Sequence, residues 1–457
     1  MSHQTFFCER ILTSGGWQQN MCMSVDAQGM ISDIVAGEPG DAEVILTGPV
    51  LPGMPNCHSH AFQRQMAGLA GTVSLRGSDS FWTWREKMYH LANTLNAEAF
   101  EAIAFWLYVE MLEAGYTSCA EFHYFHHRRD GQPYQHIDET GNRILDAATR
   151  AGIAMTLLPT LYCRAGFEKS SVSSEQRRFF NDPERFLDIF ESNLDRNVNH
   201  PLHKVGIGFH SLRAVSREQI NKVLAAEAGR AAAIHIHIAE QVAEVEQCFS
   251  AYGQRPVEWL LSNAPVDDRW CLVHATHMTP GEYDQAAARG VVAGLCPTTE
   301  ADLGDGFFEA EYWYKKDGIF AVGSDSNLRI SPIEELRLLE FGMRLRTGRR
   351  NVLATEALGC GSALYCAAAK GGGRALGQPV GSLADGFRAD FIVLSETHPL
   401  LQGVSDSDIL DRYVFAGDRG MIASVFVAGQ QQVSHGSHPL REAAAAGFAA
   451  VMEEINQ

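Results

Sequence analysis

AAIHIHIAE, residues 232–240, is a short apolar run that carries two histidines, closes on an acid three residues past the second, and passes from Val242 into a helical pattern. Runs of four to eight apolar residues without alternation read as strands buried on both faces, as parallel sheets require. Seven more segments have this form: the run from Pro49 to Asn56, TSCAEF (117–122), IAMTLLPT (153–160), VGIGFH (205–210), WCLVHA (270–275), VVAGLC (291–296) and IFAVGSD (319–325). Between them lie amphipathic stretches such as Ala97 to Ala114, Glu139 to Ala151, Glu218 to Ala228 and Val242 to Cys248. Strand and helix thus alternate about eight times, the pattern of an α/β chain folded as a (β/α)8 TIM barrel. A doubly wound open sheet has the same local signature. Its Gly-rich turn after the first strand is absent, however, where His58 and His60 stand.

The chain's 457 residues exceed one ordinary core, so a barrel with an appended domain is expected. Residues 1–48 and 380–457 carry short β-like pieces with Gly and Asp turns, including AEVILTG (42–48), GSLADGFRADFIVL (381–394) and MIASVFVAGQQQVSHG (421–436). These flanks predict one small β-sandwich domain, with a C-terminal helix from about Pro439, beside a barrel over 49–379. Val352 to Lys370 reads as a helix leading out, and the glycine triplet Gly371–Gly373 with Pro379 as a boundary.

The formal net charge of -18, without a basic stripe, argues against nucleic acid as a partner. The 10 cysteines are scattered with no C-x-x-C pair, which predicts free thiols in a reducing cytoplasm. The start, MSHQTFFCERILTSGG, has no basic region followed by an apolar core, and no later stretch reaches the length of a membrane span. A cytoplasmic protein without a membrane partner is the expectation.

The chemistry gathers at the strand ends. His58 and His60 in PNCHSH are two apart, so both rings point the same way. H-x-H alone is weak, and each histidine has a bland alternative as a hydrogen-bonded core or surface residue. The weight comes from His237, His274 and Asp325 ending further strands, because barrel active sites sit at the carboxyl ends of the strands. Of His235 and His237, which share a face, only His237 reaches the mouth. Glu240 lies just past that strand and suits a proton shuttle, or else the start of the next helix. His274 is preferred to His277, which falls in the following loop. Asp325, with Asn327 after it, is either a ligand and proton acceptor or a turn residue. Three imidazoles and a carboxylate around a water match what zinc or ferrous iron accepts in a catalytic site. Such an ion lowers the pKa of a bound water to about 7, giving a nucleophile at neutral pH.

With these residues in place the chain resembles the amidohydrolase superfamily, whose members carry H-x-H on strand one, histidines on strands five and six and an aspartate on strand eight. The likeness covers nearly the whole chain, and GSLADGFRADFIVL resembles the family's closing β segment. Binuclear members place a carboxylated lysine or an acid at the end of strand four, where this chain has His210. The resemblance therefore implies one divalent metal per subunit, zinc first and Fe2+ as the alternative, held by His58, His60, His237 and Asp325. The pairing of His237 with Glu240, followed by His274, is like the mononuclear deaminase branch.

Six motifs in order, PNCHSHAFQR, AEFHYFHH, GFHSLRAV, HIHIAEQ, CLVHATH and VGSDSN, narrow the resemblance to a deaminating member that acts on N-formimino-L-glutamate in histidine breakdown. It implies Glu240, His274 and Asp325 as catalytic residues and Gln63, Tyr124, His210 and Arg213 as substrate contacts, with Arg85 a looser candidate; a homodimer is also implied. Arg213 suits a dicarboxylate because its guanidinium grips a carboxylate bidentately, as lysine does poorly; the alternative is a surface residue ahead of a helix. His123, His126 and His127 crowd one loop beside Tyr124 and read equally as a surface metal trap. FWTWREKMYH (81–90) is expected to cover the barrel mouth or a subunit contact, and EADLGD (300–305) to be a solvated loop. Two rival readings stand: another deaminase of the branch, acting on guanine, an adenosine derivative or a triazine, and a noncatalytic metal-binding scaffold. A closed structural site has no use for Glu240 and His274.

Overall fold

A computed structural model describes residues 3–69, 81–167, 171–230 and 232–455, and in them the chain forms two sheets. The first begins with β1 (Gln4–Thr13), β2 (Gly16–Val25), β3 (Ile31–Ala36) and β4 (Val44–Pro52). The second holds β5 (Met54–Ser59), β6 (Tyr116–His123), β7 (Ala154–Leu161), β8 (His203–Val205), β9 (Ile207–Ser211), β10 (Ile234–Ile238), β11 (Trp270–His274), β12 (Val292–Leu295) and β13 (Ile319–Val322). The chain then returns to the first sheet with β14 (Phe391–Leu394), β15 (Ile422–Val427) and β16 (Gln430–Ser434).

The second sheet is the barrel, parallel throughout, in the order β13-β12-β11-β10-β9-β7-β6-β5, with the short β8 beside β7. Each apolar run singled out in the sequence falls on strand here, with two of them divided: Pro49 to Asn56 between β4 of the first sheet and β5 of the second, and VGIGFH between β8 and β9. Strands β5, β6, β7, β10, β11 and β12 are buried along their whole length, which is why they lack alternation. The ring closes where β5 meets the segment after β13. Ser59 and Asp325 form a parallel bridge, with His60 N–H donating to Asp325 O at 3.0 Å and Asp325 N–H to His58 O at 2.9 Å.

The first sheet has the order β16-β15-β14-β4-β1-β2-β3, so both ends of the chain share one sheet. Its own apolar cluster centres on Phe6, Phe391 and Phe426, with the last two rings stacked 4.5 Å apart and Phe6 edge-on to both. The C-terminal helix runs from Arg441 to Ile455.

The exit from the barrel differs from expectation. The helix spans Cys360–Leu376, so it starts later than Val352 and runs straight through Gly371–Gly373. Those glycines lie inside a helix and make close contacts; they do not mark its boundary. A Cβ on Gly371 would stand 1.9 Å from Phe320 O, one on Gly372 2.9 Å from Pro55 Cβ, and one on Gly373 2.2 Å from Val380 O. The helix therefore gives up about 1 kcal/mol of propensity per glycine to lie directly on the backbone of the barrel's first and last strands. Among the described residues no helix is long and apolar enough to cross a membrane.

Candidate functional site

Every barrel strand is parallel, so the carboxyl ends of all of them face one rim, and a side chain at a strand end points over it. His58 and His60 come from the end of β5, His237 from β10 and Asp325 from the turn after β13. Their Nε2 atoms converge: His58 to His60 3.1 Å, His58 to His237 3.0 Å, His60 to His237 3.2 Å. Asp325 Oδ1 lies 3.5 Å from His58 Nε2 and 3.3 Å from His60 Nε2. These four buried residues form a group that could hold a metal ion.

The hydrogen bonds on the far side of the rings decide what that group wants. His60 Nδ1–H donates to Phe122 O at 3.0 Å and His237 Nδ1–H to His210 O at 2.8 Å. With their protons spent on carbonyls, both rings turn bare Nε2 lone pairs toward the same point as His58. Lone pairs at this distance repel, and a divalent cation between them removes the repulsion. Tetrahedral ligands about 2.0–2.1 Å from zinc stand roughly 3.3 Å apart, close to the spacing found. Burial pushes the His58 ring down to about 3 and lowers His60 and His237 as well, so all three are neutral, the form a metal binds. Burial pushes the Asp325 carboxyl up, but His58, His274 and His60 outweigh it and hold the group below its ordinary value.

His274 ends β11 beside this cluster, with Nε2 3.8 Å from both Glu240 Oε1 and Asp325 Oδ2. Burial works against its protonation, but Glu240, Glu300 and Asp325 outweigh it and hold the ring protonated well above the ordinary value. Glu240 is pushed up, by burial first, with Glu244 and Asp325 adding to it against the pull of His274 and Arg213. His274 and Asp325 both have left-handed backbones, φ 67 and φ 46, a conformation that non-glycine residues adopt at some cost and that clusters at functional sites.

A cavity opens above these groups. Of the candidate ligands, catalytic residues and substrate contacts all but the fully buried His58 line it: His60, Gln63, Arg85, Tyr124, His210, Arg213, His237, Glu240, His274 and Asp325. Gln63 Nε2 donates to the Tyr124 hydroxyl at 3.1 Å. The His210 ring packs edge-on against Tyr162 at 4.5 Å and Tyr124 at 5.5 Å. Arg213 is buried, 3.8 Å from Glu240 and 5.7 Å over the Phe81 ring, while Arg85 lies 5.6 Å over Tyr89. The helix Phe81–Ala92 lines the mouth with Phe81, Trp84, Arg85, Met88 and Tyr89; the side chain of Trp82 lies outside the described residues.

Other histidines are structural. His235 Nε2 bonds Ala375 O at 2.8 Å beneath the site. His123, His126 and His127 are buried and their Nε2 atoms bond separately, to Thr140 Oγ1, Thr160 O and Phe180 O, so the loop is no surface metal trap. EADLGD is solvated only in part: Ala301, Asp302 and Gly304 are exposed, and its first four residues belong to the helix Pro297–Leu303. Glu300 and Asp305 are buried at the site, and burial, with Glu240 adding to it, pushes the Asp305 carboxyl up to about 9. Glu244, also missed, accepts the Glu240 N–H at 3.1 Å. The sequence signal for Glu300 was its place three residues into a helix opening with Pro297, where an acid reaches back to the first backbone N–H.

Comparison with known proteins bears on this geometry. The profile described as "Amidohydrolase family" matches residues 50–431. A formimidoylglutamate deiminase of Pseudomonas aeruginosa is 47% identical over 450 residues, covering 98% of this chain and 99% of that one. The crystal structure of an amidohydrolase from Brucella melitensis superposes with a TM-score of 0.94 at 42% identity, over 99% of this chain and 100% of that one. An adenosine deaminase from Xanthomonas campestris, solved with bound zinc, has a TM-score of 0.82 at 19% identity, over 99% and 98% of the two chains, and shares the fold.

Proposed function

The chain belongs to the amidohydrolase family, and from that premise we propose that it hydrolyses N-formimino-L-glutamate to N-formyl-L-glutamate and ammonia with one divalent metal ion per chain, zinc being the ion. The observation that carries the substrate is the likeness to the Pseudomonas aeruginosa deiminase over nearly the whole of both chains. The donor set of three neutral imidazoles and one carboxylate supports zinc, with His58, His60, His237 and Asp325 as ligands. A divalent ion there supplies Lewis acidity and lowers the pKa of a water it binds to about 7.

The residues of the chain do the rest. The reaction adds water across the formimino C=N bond and then breaks the bond from carbon to the terminal nitrogen, which leaves as ammonia. Asp325 accepts the proton of the attacking water. Glu240 carries a proton to the departing nitrogen, a role its raised pKa suits. His274, a cation beside both, stabilises negative charge as the carbon becomes tetrahedral. Arg213 and Arg85 take the substrate's carboxylates, and Gln63, Tyr124 and His210 place its neutral polar groups. The same proposal takes the enzyme to act in the cytoplasm in histidine breakdown, as a homodimer, which light scattering on the purified protein checks.

The test offers N-formimino-L-glutamate, guanine and adenosine to the purified protein, follows ammonia release and measures metal on the same sample. Release from the first alone, with zinc bound, is expected. Release from a purine and none from N-formimino-L-glutamate overturns the proposal.

A further inference from the structure

Glu300 has no part in the reaction as proposed, yet it is the nearest charged group to the far side of the His274 ring. It lies in the short helix Pro297–Leu303 after β12 and is 4% exposed. Its Oε1 accepts the Cys296 backbone N–H at 2.9 Å and lies 3.3 Å from His274 Nδ1. The opposite nitrogen, Nε2, is the one that faces Glu240 and Asp325. The ring is thus held from behind and presented from the front.

We infer that Glu300 is a positioning residue: it accepts the Nδ1 proton of His274 and thereby fixes both the rotation of the ring and the side on which Nε2 meets the substrate. This rests on the role proposed above for His274. Two observations carry it beyond helix capping. A capping acid needs one oxygen and open solvent for the rest, whereas here the same oxygen serves the backbone and the imidazole in a buried place. His274 also leaves β11 with a left-handed backbone, and Ala275 N–H bonds Ile238 O at 3.0 Å to hold the bend. That bend aims the side chain away from the course of the strand. Without an acceptor behind Nδ1, rotation about the side-chain bonds would carry Nε2 off the point between Glu240 and Asp325. A hydrogen bond of this kind keeps the remote nitrogen protonated and fixes the orientation of the ring.

The experiment compares Glu300→Ala, Glu300→Gln and His274→Ala as metal-loaded proteins with N-formimino-L-glutamate, and adds Glu300→Ala in the His274→Ala background. Misplacement of a catalytic group by about 1 Å costs on the order of 10²-fold in rate. Glu300→Ala is therefore expected to lower kcat about 10²-fold with KM and metal content little changed. Glu300→Gln, which keeps an oxygen in the same place, should recover kcat to within about tenfold of the parent. In the double variant the second change should add nothing, because there is no ring left to hold. A nitrogen-15 spectrum of the histidine rings gives a readout without turnover: the Nδ1 proton of His274 should be present in the parent and in Glu300→Gln and lost in Glu300→Ala. Multiplying effects in the double variant, or an unchanged kcat in Glu300→Ala while His274→Ala is inactive, overturn the inference alone. Full activity of His274→Ala overturns the reading on which it rests. If the truncation does not fold, Glu300→Gln decides: a loss of kcat well beyond tenfold, or a lost Nδ1 proton, is the overturning result.

Discussion

Arg213 offers the sharpest test of the proposal that the cavity selects an acidic substrate. It is buried at the cavity wall, 3.8 Å from Glu240, in a protein whose formal net charge is -18. A guanidinium there grips a carboxylate through two N–H groups, and hydrogen bonds to charged groups contribute about 1.5–3 kcal/mol each. Arg213→Ala is thus expected to cost about 3–5 kcal/mol of transition-state stabilisation, roughly 10²- to 10⁴-fold in kcat/KM. Arg213→Lys restores the charge without the fork and should fall between the two. Ammonia release at increasing N-formimino-L-glutamate gives kcat and KM, and mass spectrometry of the same samples gives metal content. Since Arg213 reaches Glu240 and not the three-histidine cluster, metal should stay bound. A loss below tenfold, or a loss that tracks missing metal, refutes the assignment.

Glu240→Gln removes the donated proton while keeping the shape; kcat should drop about 10²- to 10⁴-fold with KM within a few-fold, read in the same assay. Gly371→Ala puts a Cβ against Phe320 O and should destabilise the fold by at least about 2 kcal/mol, seen as a lower urea midpoint. Burial raises the Glu121 carboxyl to about 8, against an opposing hydrogen bond from Ala61 N–H. Its folded pKa lies above the unfolded value, so its contribution to stability is fully present below about pH 4.5 and is lost as pH rises towards 8. Glu121→Gln should flatten that decline by up to about 1.4 kcal/mol per pH unit, measured by denaturation at pH 5.5 and 7.5.

The barrel was legible in the sequence because parallel strands buried on both faces leave unbroken apolar runs, and the candidate ligands because histidines at the ends of such runs fall on one rim. What escaped depends on neighbours distant in the chain. Glu300 and Asp305, in an acidic stretch, read as solvated, yet they lie buried around His274, which comes from another strand. Local composition cannot report that a carboxylate is buried when the packing comes from residues 26 and 64 positions away. Gly371–Gly373 read as a domain boundary for the same reason. What makes glycine necessary there is the backbone of Phe320, Pro55 and Val380, only the last of which is near in sequence.

The bridge between Ser59 and Asp325 has a consequence for how the molecule comes into being. Two of the candidate ligands stand at the first barrel strand and one after the last, so the histidine pair and the aspartate meet only when the ring shuts. Loop closure of that span is costly in entropy and rewarded late. During synthesis the site is therefore absent until residue 325 and the segment behind it have emerged, and a nascent chain halted earlier holds its histidines with no aspartate beside them. Metal uptake becomes a report on completed folding, and an ion bound at the seam opposes reopening of the ring.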